Sequence, residues 1–573
     1  MSILSNAPTD QFSALSPVKR VLWREKTALT ALLGLGFIGL AVALLGPLYA
    51  LLSRSVQNRQ GEYVGLDNFI AYAASGGISQ AAMNSLFIAA TSTVIVIVLA
   101  FMAAYALTRT GLPGKGVFRL ILTVPILAPS LLPAISLIYL FGNQGVLRFL
   151  LGDQSIYGPI GIILGSVFWT LPHAMMILLT ALSNADGRQY EAANALKSSA
   201  WRTFWTVTVP SARYGLVSAT FVVFTLVITD FGVPKVIGGQ FNVLATDIYR
   251  QVIGQQRFEM GAVVGVILLF PALLAFGADL WVRRQQRSAI TARSVPFQPP
   301  RSVPRNLFGL LCLSPSAVFI LTIVGMAVYA SLVTYWPYNL TLTFNNYNFT
   351  RFDANGWQPY RNSLKMASLA MVFGTAAIFF NAWLVERTQP PAWLAGLYQC
   401  VALLPMAVPG LVLGIAYIFF FNHPDNPLNA LYGGMTILVL CSIVHFYSVA
   451  HLTGITALKQ LDQEFEAVGD SLKSSRLNLF GRLTLPMSLP TILDIALYLF
   501  VNAMTTVSAV VFLYGPNTRL ASVVVMHLEE AGGTAPAAAM AVVIMLTCGA
   551  AKIVHSLLSA VLRRTTSHWS QRH

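Results

Sequence analysis

Long apolar runs recur from one end of this sequence to the other, and they limit its possible folds more than any other feature. A hydrocarbon layer about 30 Å thick is crossed by roughly 20 apolar residues in a helix, and only helices or closed barrels satisfy the backbone in lipid. The chain is therefore predicted to be an all-α polytopic membrane protein with about 12 transmembrane helices. The candidate spans are residues 27–53, 84–107, 117–142, 158–184, 214–237, 260–282, 307–335, 362–385, 396–421, 432–458, 489–513 and 535–562.

The distribution of charge predicts how these helices are oriented and which partners they have. Charged residues make up only 10% of the 573 residues, too few to cover a soluble protein of this size. The net charge of +15 could suggest nucleic acid, but most basic residues lie in the terminal segments, the even-to-odd loops and a central linker. Because basic loops face the cytoplasm, we expect both termini to be cytoplasmic. Membrane lipid is an expected partner and nucleic acid is not.

The sequence repeats itself in two halves. The landmarks of the first half are Asn84-Ser85-Leu86, Arg109-Thr110 and Pro125-x3-Pro129, and those of the second are Asn362-Ser363-Leu364, Arg387-Thr388 and Pro405-x3-Pro409. They keep the same order and nearly the same spacing, which predicts a tandem duplication of two homologous six-helix halves. We place the first half at residues 1–282, a basic Pro-rich linker at 283–305 and the second half at 306–573. The duplicated cores are expected at about 80–282 and 358–562.

A long loop follows the fourth span and recurs after the tenth. Its apolar residues have helical spacing, which predicts a short amphipathic helix outside the bilayer, and we expect a proline to close each segment. The candidate residues of the first loop are Asp186, Glu191, Ala192, Ala193, Lys197, Ser198, Ser199 and Pro210. Those of the second loop are Asp462, Glu466, Lys473, Ser474, Ser475 and Pro486.

The two loops resemble the cytoplasmic loop of type I ABC importer permeases, whose pattern is EAA, three residues, Gly, nine residues and Ile-x-Leu-Pro. Glu191-Ala192-Ala193 and Val209-Pro210 match that pattern with the same intervening length. The resemblance implies the type I ABC importer transmembrane fold, a bacterial inner-membrane location and a periplasmic solute-binding protein. It also implies that the loops dock as coupling helices on two copies of a cytoplasmic ATPase subunit.

ATP hydrolysis is expected on that separate subunit. The sequence has no phosphate-binding loop of the form GxxxxGK(S/T) and no other catalytic pattern. We therefore expect a transport permease that is not an enzyme and holds no cofactor. His173 and His445 are isolated and the cysteines lack ligand spacing, so no metal site is expected either.

Two departures from the family pattern carry expectations of their own. Lys197 and Lys473 occupy the glycine position, and since lysine lacks the conformational freedom of glycine, we expect neither to adopt a positive φ. Glu466 lies one residue earlier than Glu191 relative to that lysine. Because Glu191 keeps the family position, we expect its loss to impair transport more than loss of Glu466.

Polar groups inside apolar spans suggest a translocation path, because they are costly in lipid. Asp230 lies near the end of the fifth span and is followed by Phe-Gly-Val-Pro, which would interrupt the helix. The residue could line the path or cap a short helix, and the sequence leaves both open. Its counterparts in the second half are Thr505, Thr506 and Ser508.

The transported solute is predicted by resemblance alone. The segment from Asp230 to Tyr249 and the Leu-Lys-Ser-Ser sequence of both loops are most similar to permeases for 2-aminoethylphosphonate. Fused permeases of this size also serve ferric iron and thiamine, which remain alternatives. A secondary transporter of the major-facilitator kind is less favoured, because it needs coupling carboxylates in its spans and these are scarce here.

Overall fold

The apolar runs form helices, and helices make up most of the described chain. The computed structural model describes residues 17–289, 295, 297, 299, 302–462, 464–472 and 474–570. The helices of the first half are α1 (Pro17–Ser55), α2 (Asp67–Ala74), α3 (Gly77–Arg109), α4 (Lys115–Thr123), α5 (Leu131–Phe141), α6 (Pro159–Ser183), α7 (Gly187–Ala195), α8 (Ala200–Thr203), α9 (Val209–Ile228), α10 (Gly232–Ile237), α11 (Leu244–Tyr249) and α12 (Phe258–Ala289). Those of the second half are α13 (Val303–Leu332), α14 (Gln358–Leu369), α15 (Thr375–Arg387), α16 (Ala392–Leu403), α17 (Gly410–Phe421), α18 (Met435–His445), α19 (Tyr447–Gln460), α20 (Glu464–Ser471), α21 (Arg476–Leu479), α22 (Leu485–Met487), α23 (Leu489–Thr505), α24 (Ala521–Glu530) and α25 (Thr534–Ser570).

Shorter elements complete the described chain. An antiparallel hairpin of β1 (Val333–Tyr335) and β2 (Asn339–Leu342) follows α13. Short 3₁₀ turns occur at several breaks, and π-helical segments occur at Phe204–Thr208, Arg250–Gly254, Ala370–Gly374 and Phe480–Thr484. The first and last of these π-helical segments lie at equivalent positions of the two long loops. The duplication therefore extends to the local backbone geometry.

The number of membrane-crossing helices agrees with the predicted twelve when bent helix pairs are counted as single spans. Within the described residues, 8 helices are long and apolar enough to cross a membrane. Four further pairs of helices pass the same test together but are bent at a short break, which gives up to 12 spans. This architecture is the fold that the sequence predicts.

The third and ninth spans are sharply bent at their Pro-x3-Pro segments. The chain direction bends by 105° between α4 and α5, and by 113° between α16 and α17. Each bend follows a 3₁₀ turn, Val124–Leu127 or Leu404–Ala407, and the Pro-x3-Pro pattern supplies both prolines at the break. Proline has no N–H to donate to the preceding turn and its ring collides with the carbonyl four residues earlier, so a straight helix cannot pass through.

The fifth and eleventh spans also differ from their predicted limits. The fifth is one helix from Ala200 to Ile228 and ends nine residues before the predicted 237; the eleventh ends at Thr505 and not at 513. α9 is about 30 Å long, so it separates two ends of the molecule. We call the end with α7, α8, α20 and α21 the loop face, and the end with α10, α11 and α24 the opposite face.

The two sequence halves are interlocked in space. α1 packs against α15 and α17 of the second half, and α13 packs against α3 and α5 of the first. Helices in lipid associate through close packing and polar contacts because lipid tails are as apolar as their side chains. Each half therefore completes the packing of the other, and one continuous apolar core contains residues of both.

Candidate functional site

The first loop begins with a capped helix. Asp186 accepts a hydrogen bond from the backbone N–H of Arg188 at 3.1 Å, which caps α7. The Arg188 side chain also forms an ion pair with the Asp186 carboxylate, with Nη2 2.7 Å from Oδ2. Hydrogen bonds from Arg188 lower the pKa of Asp186 to about 2, so the cap is charged at neutral pH. The start of α7 is thus fixed by contacts within the first loop.

The end of α7 contradicts the expectation for Lys197. This residue has a φ of 51°, which is the left-handed conformation. The following Ser198 donates its N–H to the carbonyl of Ala193 at 2.9 Å, and Lys197 donates to Asn194 at 2.9 Å. These bonds close the helix in the manner of a glycine cap. They outweigh the strain of a lysine there and explain why the family pattern has glycine at this position.

The second loop ends its helix with the same bond. Ser474 donates to the carbonyl of Gly469 at 2.9 Å, at the position equivalent to the bond from Ser198 to Ala193. Lys473 lies outside the described residues, and the expectation for it stays a prediction.

The next turn is also built alike in both loops. Ser199 accepts from the N–H of Arg202 at 3.2 Å, and Ser475 accepts from the N–H of Asn478 at 3.1 Å, so each serine caps a helix. The expectation that Pro210 and Pro486 close these segments is wrong. Each lies in the first turn of a helix after a π-helical segment. The wider π turn makes room for the proline ring and accommodates its missing N–H.

Both loops expose large apolar side chains among polar ones. Glu191 and Ala192 face outward, whereas Ala193 is buried. Large apolar side chains are also exposed: Leu196, Trp201 and Trp205 in the first loop, and Leu472 and Leu477 in the second. Exposed apolar side chains of this size on a loop are typical of a surface that binds another protein.

A buried arginine fixes each loop to the end of a span. Arg109 is only 4% exposed. It donates to the carbonyl of Leu182 at 2.7 Å and to the hydroxyl of Tyr190 at 3.1 Å, with its guanidinium 4.7 Å from the Tyr190 ring centre. α3 is thereby joined to α7. In the sequence, Arg109-Thr110 and Arg387-Thr388 are landmarks of the repeat, and a charged residue repeated at the end of a span is the signal of this anchoring role.

The second loop replaces the tyrosine with a carboxylate. Arg387, 8% exposed, forms an ion pair with Glu466 in which Nε and Oε1 are 2.8 Å apart. It also donates to the carbonyl oxygens of Leu461 and Asp462 at 3.4 and 3.0 Å. In the repeat, Glu466 corresponds to Tyr190 and not to Glu191. The one-residue shift of this glutamate therefore places it on the arginine.

The contacts bear on the stability of the two loops, whereas the expected order of Glu191 and Glu466 in transport stays a prediction. Glu466 neutralises the buried Arg387 side chain, whereas the Glu191 side chain is exposed. Removing one partner of a buried pair leaves the other charge uncompensated. On these contacts, loss of Glu466 has the larger effect on the fold of its loop.

The linker between the halves contacts the first loop. Val295 accepts a hydrogen bond from the N–H of Gly187 at 2.8 Å. The Phe297 ring lies 4.6 Å from the ring of Tyr190 and 5.0 Å from the guanidinium carbon of Arg109, measured to ring centres. The linker thus adds a third element to the anchor of α7.

An open cleft of about 1330 Å³ lies beside α7 on the loop face, lined in part by Gln189, Arg202 and Tyr214.

Asp230 caps a helix in the structure. Its carboxylate oxygens accept from the N–H groups of Gly232 and Val233 at 3.1 and 3.3 Å, at the start of α10. Of its counterparts, Thr505 bonds the carbonyl of Val501 at 2.9 Å, and the carbonyl of Thr506 accepts from Ser522 at 2.6 Å. A role of these residues in the path stays a proposal.

Ser508 packs closely against a glycine, and the first half has an equivalent glycine–serine contact in which the two residue types have exchanged positions. In the first half a Cβ added to Gly232 would collide with Oγ of Ser130, and in the second a Cβ added to Gly410 would collide with Oγ of Ser508. The glycine thus lies after the fifth span in one half and after the break of the ninth span in the other.

The described residues contain no group of three His, Cys, Asp or Glu side chains that could hold a metal ion.

Comparison with known proteins agrees with this geometry. The family model for the binding-protein-dependent transport system inner membrane component matches residues 96–288 and again residues 374–564. The chain is 28% identical to the ferric transport system permease protein FbpB of Actinobacillus pleuropneumoniae over 488 residues, which is 82% of this chain and 70% of that protein. It is 28% identical to the molybdenum transport system permease protein ModB of Azotobacter vinelandii over 34% of this chain and 88% of that protein.

The two segments matched by the family model and the two long loops lead to the same conclusion about the family. Proteins of this family are inner-membrane permeases of ABC importers, which work with ATPase subunits and periplasmic binding proteins and are not themselves enzymes. Each half of the chain supplies one copy of the family domain. The chain belongs to the family of binding-protein-dependent transport system inner membrane components.

Proposed function

We propose that this permease docks two copies of an ATPase subunit, one on each loop, and imports ferric iron delivered by a periplasmic binding protein. The observation that carries the docking proposal is the pair of exposed apolar loops, each fixed by a buried arginine to the end of a span. ATP-driven movement of a subunit bound at α7 would pull on α3 through Arg109. Movement at α20 would pull on α15 through Arg387.

The proposed orientation places the loop face in the cytoplasm. Basic residues concentrate in the loops of this face, in the linker and in the terminal segments, and cytoplasmic loops carry an excess of Lys and Arg. Both termini are then cytoplasmic, and the opposite face meets the solute-binding protein.

The choice of ferric iron rests on similarity. Three of the similar permeases, from Actinobacillus pleuropneumoniae and Haemophilus influenzae, are named for ferric transport and align over 76–82% of this chain. A second candidate is 2-aminoethylphosphonate, favoured by the resemblance of the segment from Asp230 to Tyr249. Both solutes would be selected chiefly by the binding protein.

Reconstitution tests docking and solute together. The chain is placed in proteoliposomes with its cognate ATPase subunit and binding protein, and uptake of ferric iron, 2-aminoethylphosphonate and thiamine is measured with and without ATP. We expect iron uptake that requires both ATP and the ATPase. Uptake of any solute without the ATPase would overturn the ABC mechanism, whereas ATP-dependent uptake of 2-aminoethylphosphonate alone would replace iron with the second candidate.

A further inference from the structure

Helix α10 of the first half contacts α24 of the second half on the opposite face. Each half builds this face in the same way: Ser85 accepts from the N–H of Leu244 at 2.9 Å, and Ser363 accepts from the N–H of Ala521 at 2.8 Å. These bonds fix the starts of α11 and α24 to the adjoining spans. The serines of the Asn-Ser landmarks therefore position α11 in the first half and α24 in the second.

An ion pair joins the halves at this point. Nζ of Lys235, in α10, lies 2.6 Å from Oε1 of Glu530, at the end of α24. The same Nζ lies 4.5 Å from the ring centre of Tyr249, and that ring stacks on Phe512 of the second half with centres 6.2 Å apart. Both side chains of the ion pair keep partial exposure, 23% for Lys235 and 35% for Glu530.

Neighbouring groups hold the carboxylate in position. Nδ1 of His527 lies 3.3 Å from Oε2 of Glu530, and Nε2 of His527 lies 3.0 Å from the hydroxyl of Tyr514. Hydrogen bonding to His527 and Lys235 lowers the pKa of Glu530 to about 2. The carboxylate is therefore charged and directed at Lys235.

The repeat shows that this contact is one-sided. The position equivalent to Lys235 in the second half is Val511, and the position equivalent to Glu530 in the first half is Ile253. The equivalent positions therefore carry two apolar residues, and the sequence repeat does not duplicate this ion pair at the junction between the halves. A contact at this junction lies across any path that runs between the two halves.

We propose that Lys235 and Glu530 form a latch that closes the path at the opposite face and separates when that face opens. The inference rests on the proposed transport function. In this structure the latch is closed, with Lys235 and Glu530 in direct contact. A partly exposed ion pair suits a contact that opens repeatedly, because water replaces each partner when the pair separates.

Cysteine labelling tests the latch without any transported solute. Thr505→Cys is introduced into a chain with Cys400→Ser, since Cys400 is the exposed cysteine among the described residues, and a membrane-impermeant thiol reagent is applied from the opposite face. Adding Lys235→Met is expected to raise the labelling rate about fivefold to tenfold by increasing the open population. The exchanged variant Lys235→Glu with Glu530→Lys is expected to restore the original rate.

A matched ion pair on the same face provides the control. Arg59 and Glu259 are 3.2 Å apart, and both belong to the first half. Arg59→Met should leave the labelling rate unchanged. An unchanged rate in Lys235→Met, an equal rise in Arg59→Met or failure of the exchanged pair to restore the rate would overturn the latch. Because the assay needs neither iron nor ATPase, these outcomes are independent of the test of the proposed function.

Discussion

Arg387 and Glu466 form an ion pair with Nε and Oε1 2.8 Å apart, and it fixes the second loop to the end of α15. The first loop uses Tyr190 at the same position against Arg109. The two loops of one chain are therefore attached by different chemistry. This difference makes their contributions separable by mutation.

Glu466→Gln is expected to destabilise the protein by about 3 kcal/mol, because it leaves the buried Arg387 without a counter-charge. Glu191→Gln is the matched control, and its exposed side chain predicts a change within about 0.5 kcal/mol. Thermal unfolding of both variants in the same detergent measures the difference. Glu466→Tyr copies the first half and should recover part of the loss; equal melting temperatures for the two Gln variants would refute the anchor.

Lys197→Gly is expected to be tolerated or slightly stabilising, because glycine adopts the left-handed conformation that Lys197 has here. Lys197→Val should lower stability by about 1 to 2 kcal/mol, since a β-branched residue is strained at positive φ. Leu196→Val, one residue earlier, serves as the control because Leu196 has a φ of −79°. Melting temperatures that do not distinguish the Lys197 variants would show that the cap relaxes freely.

The glycine–serine contact that is reversed between the halves predicts that two substitutions compensate each other. Gly232→Ser should cost about 1 to 3 kcal/mol through overpacking against Ser130. Adding Ser130→Gly reproduces the arrangement of Gly410 and Ser508 in the second half and should restore most of the stability. Thermal unfolding of the single and double variants provides the measurement. A double variant as unstable as Gly232→Ser would mean that the two breaks do not pack equivalently.

Stability is expected to depend on pH through Glu529. Burial, followed by the nearby Glu530, raises the pKa of Glu529 from its ordinary 4.5 to about 7. Between these values the folded chain binds more protons than the unfolded chain, so stability falls as pH rises from about 4.5 to 7 and then levels off. The difference in melting temperature between wild type and Glu529→Gln, measured from pH 5 to 8, should follow this curve. A pH-independent difference would contradict the shifted pKa.

The overall architecture follows from the sequence because its causes are local. The length of each span and the Pro-x3-Pro spacing are properties of short segments of sequence. The duplication is visible because the same short motifs recur in the same order in both halves. The conformation of Lys197 depends on a hydrogen bond between Ser198 and Ala193 that overrides the preference of lysine itself. Residue preference alone therefore predicts the wrong φ.

The contacts between distant segments could not be predicted in the same way. Arg109 meets Tyr190 81 residues later, and Lys235 meets a glutamate in the other half. One polar contact is also repeated in the two halves, but it is formed by different residue types, so the sequence repeat does not reveal it. Ser218 bonds Asp279 at 2.6 Å in the first half, and His555 lies 2.8 Å from Asp494 in the second, so the carboxylate changes helix and no single residue type repeats.

The number of ATPase subunits bound by one chain tests the central claim most directly. Native mass spectrometry of the detergent-solubilised complex should show two ATPase subunits per chain. Replacing the exposed Trp201 of the first loop or Leu472 of the second by Asp should reduce the ratio to one in each case. A wild-type ratio of one, or a ratio of two that neither substitution changes, would contradict docking at both loops.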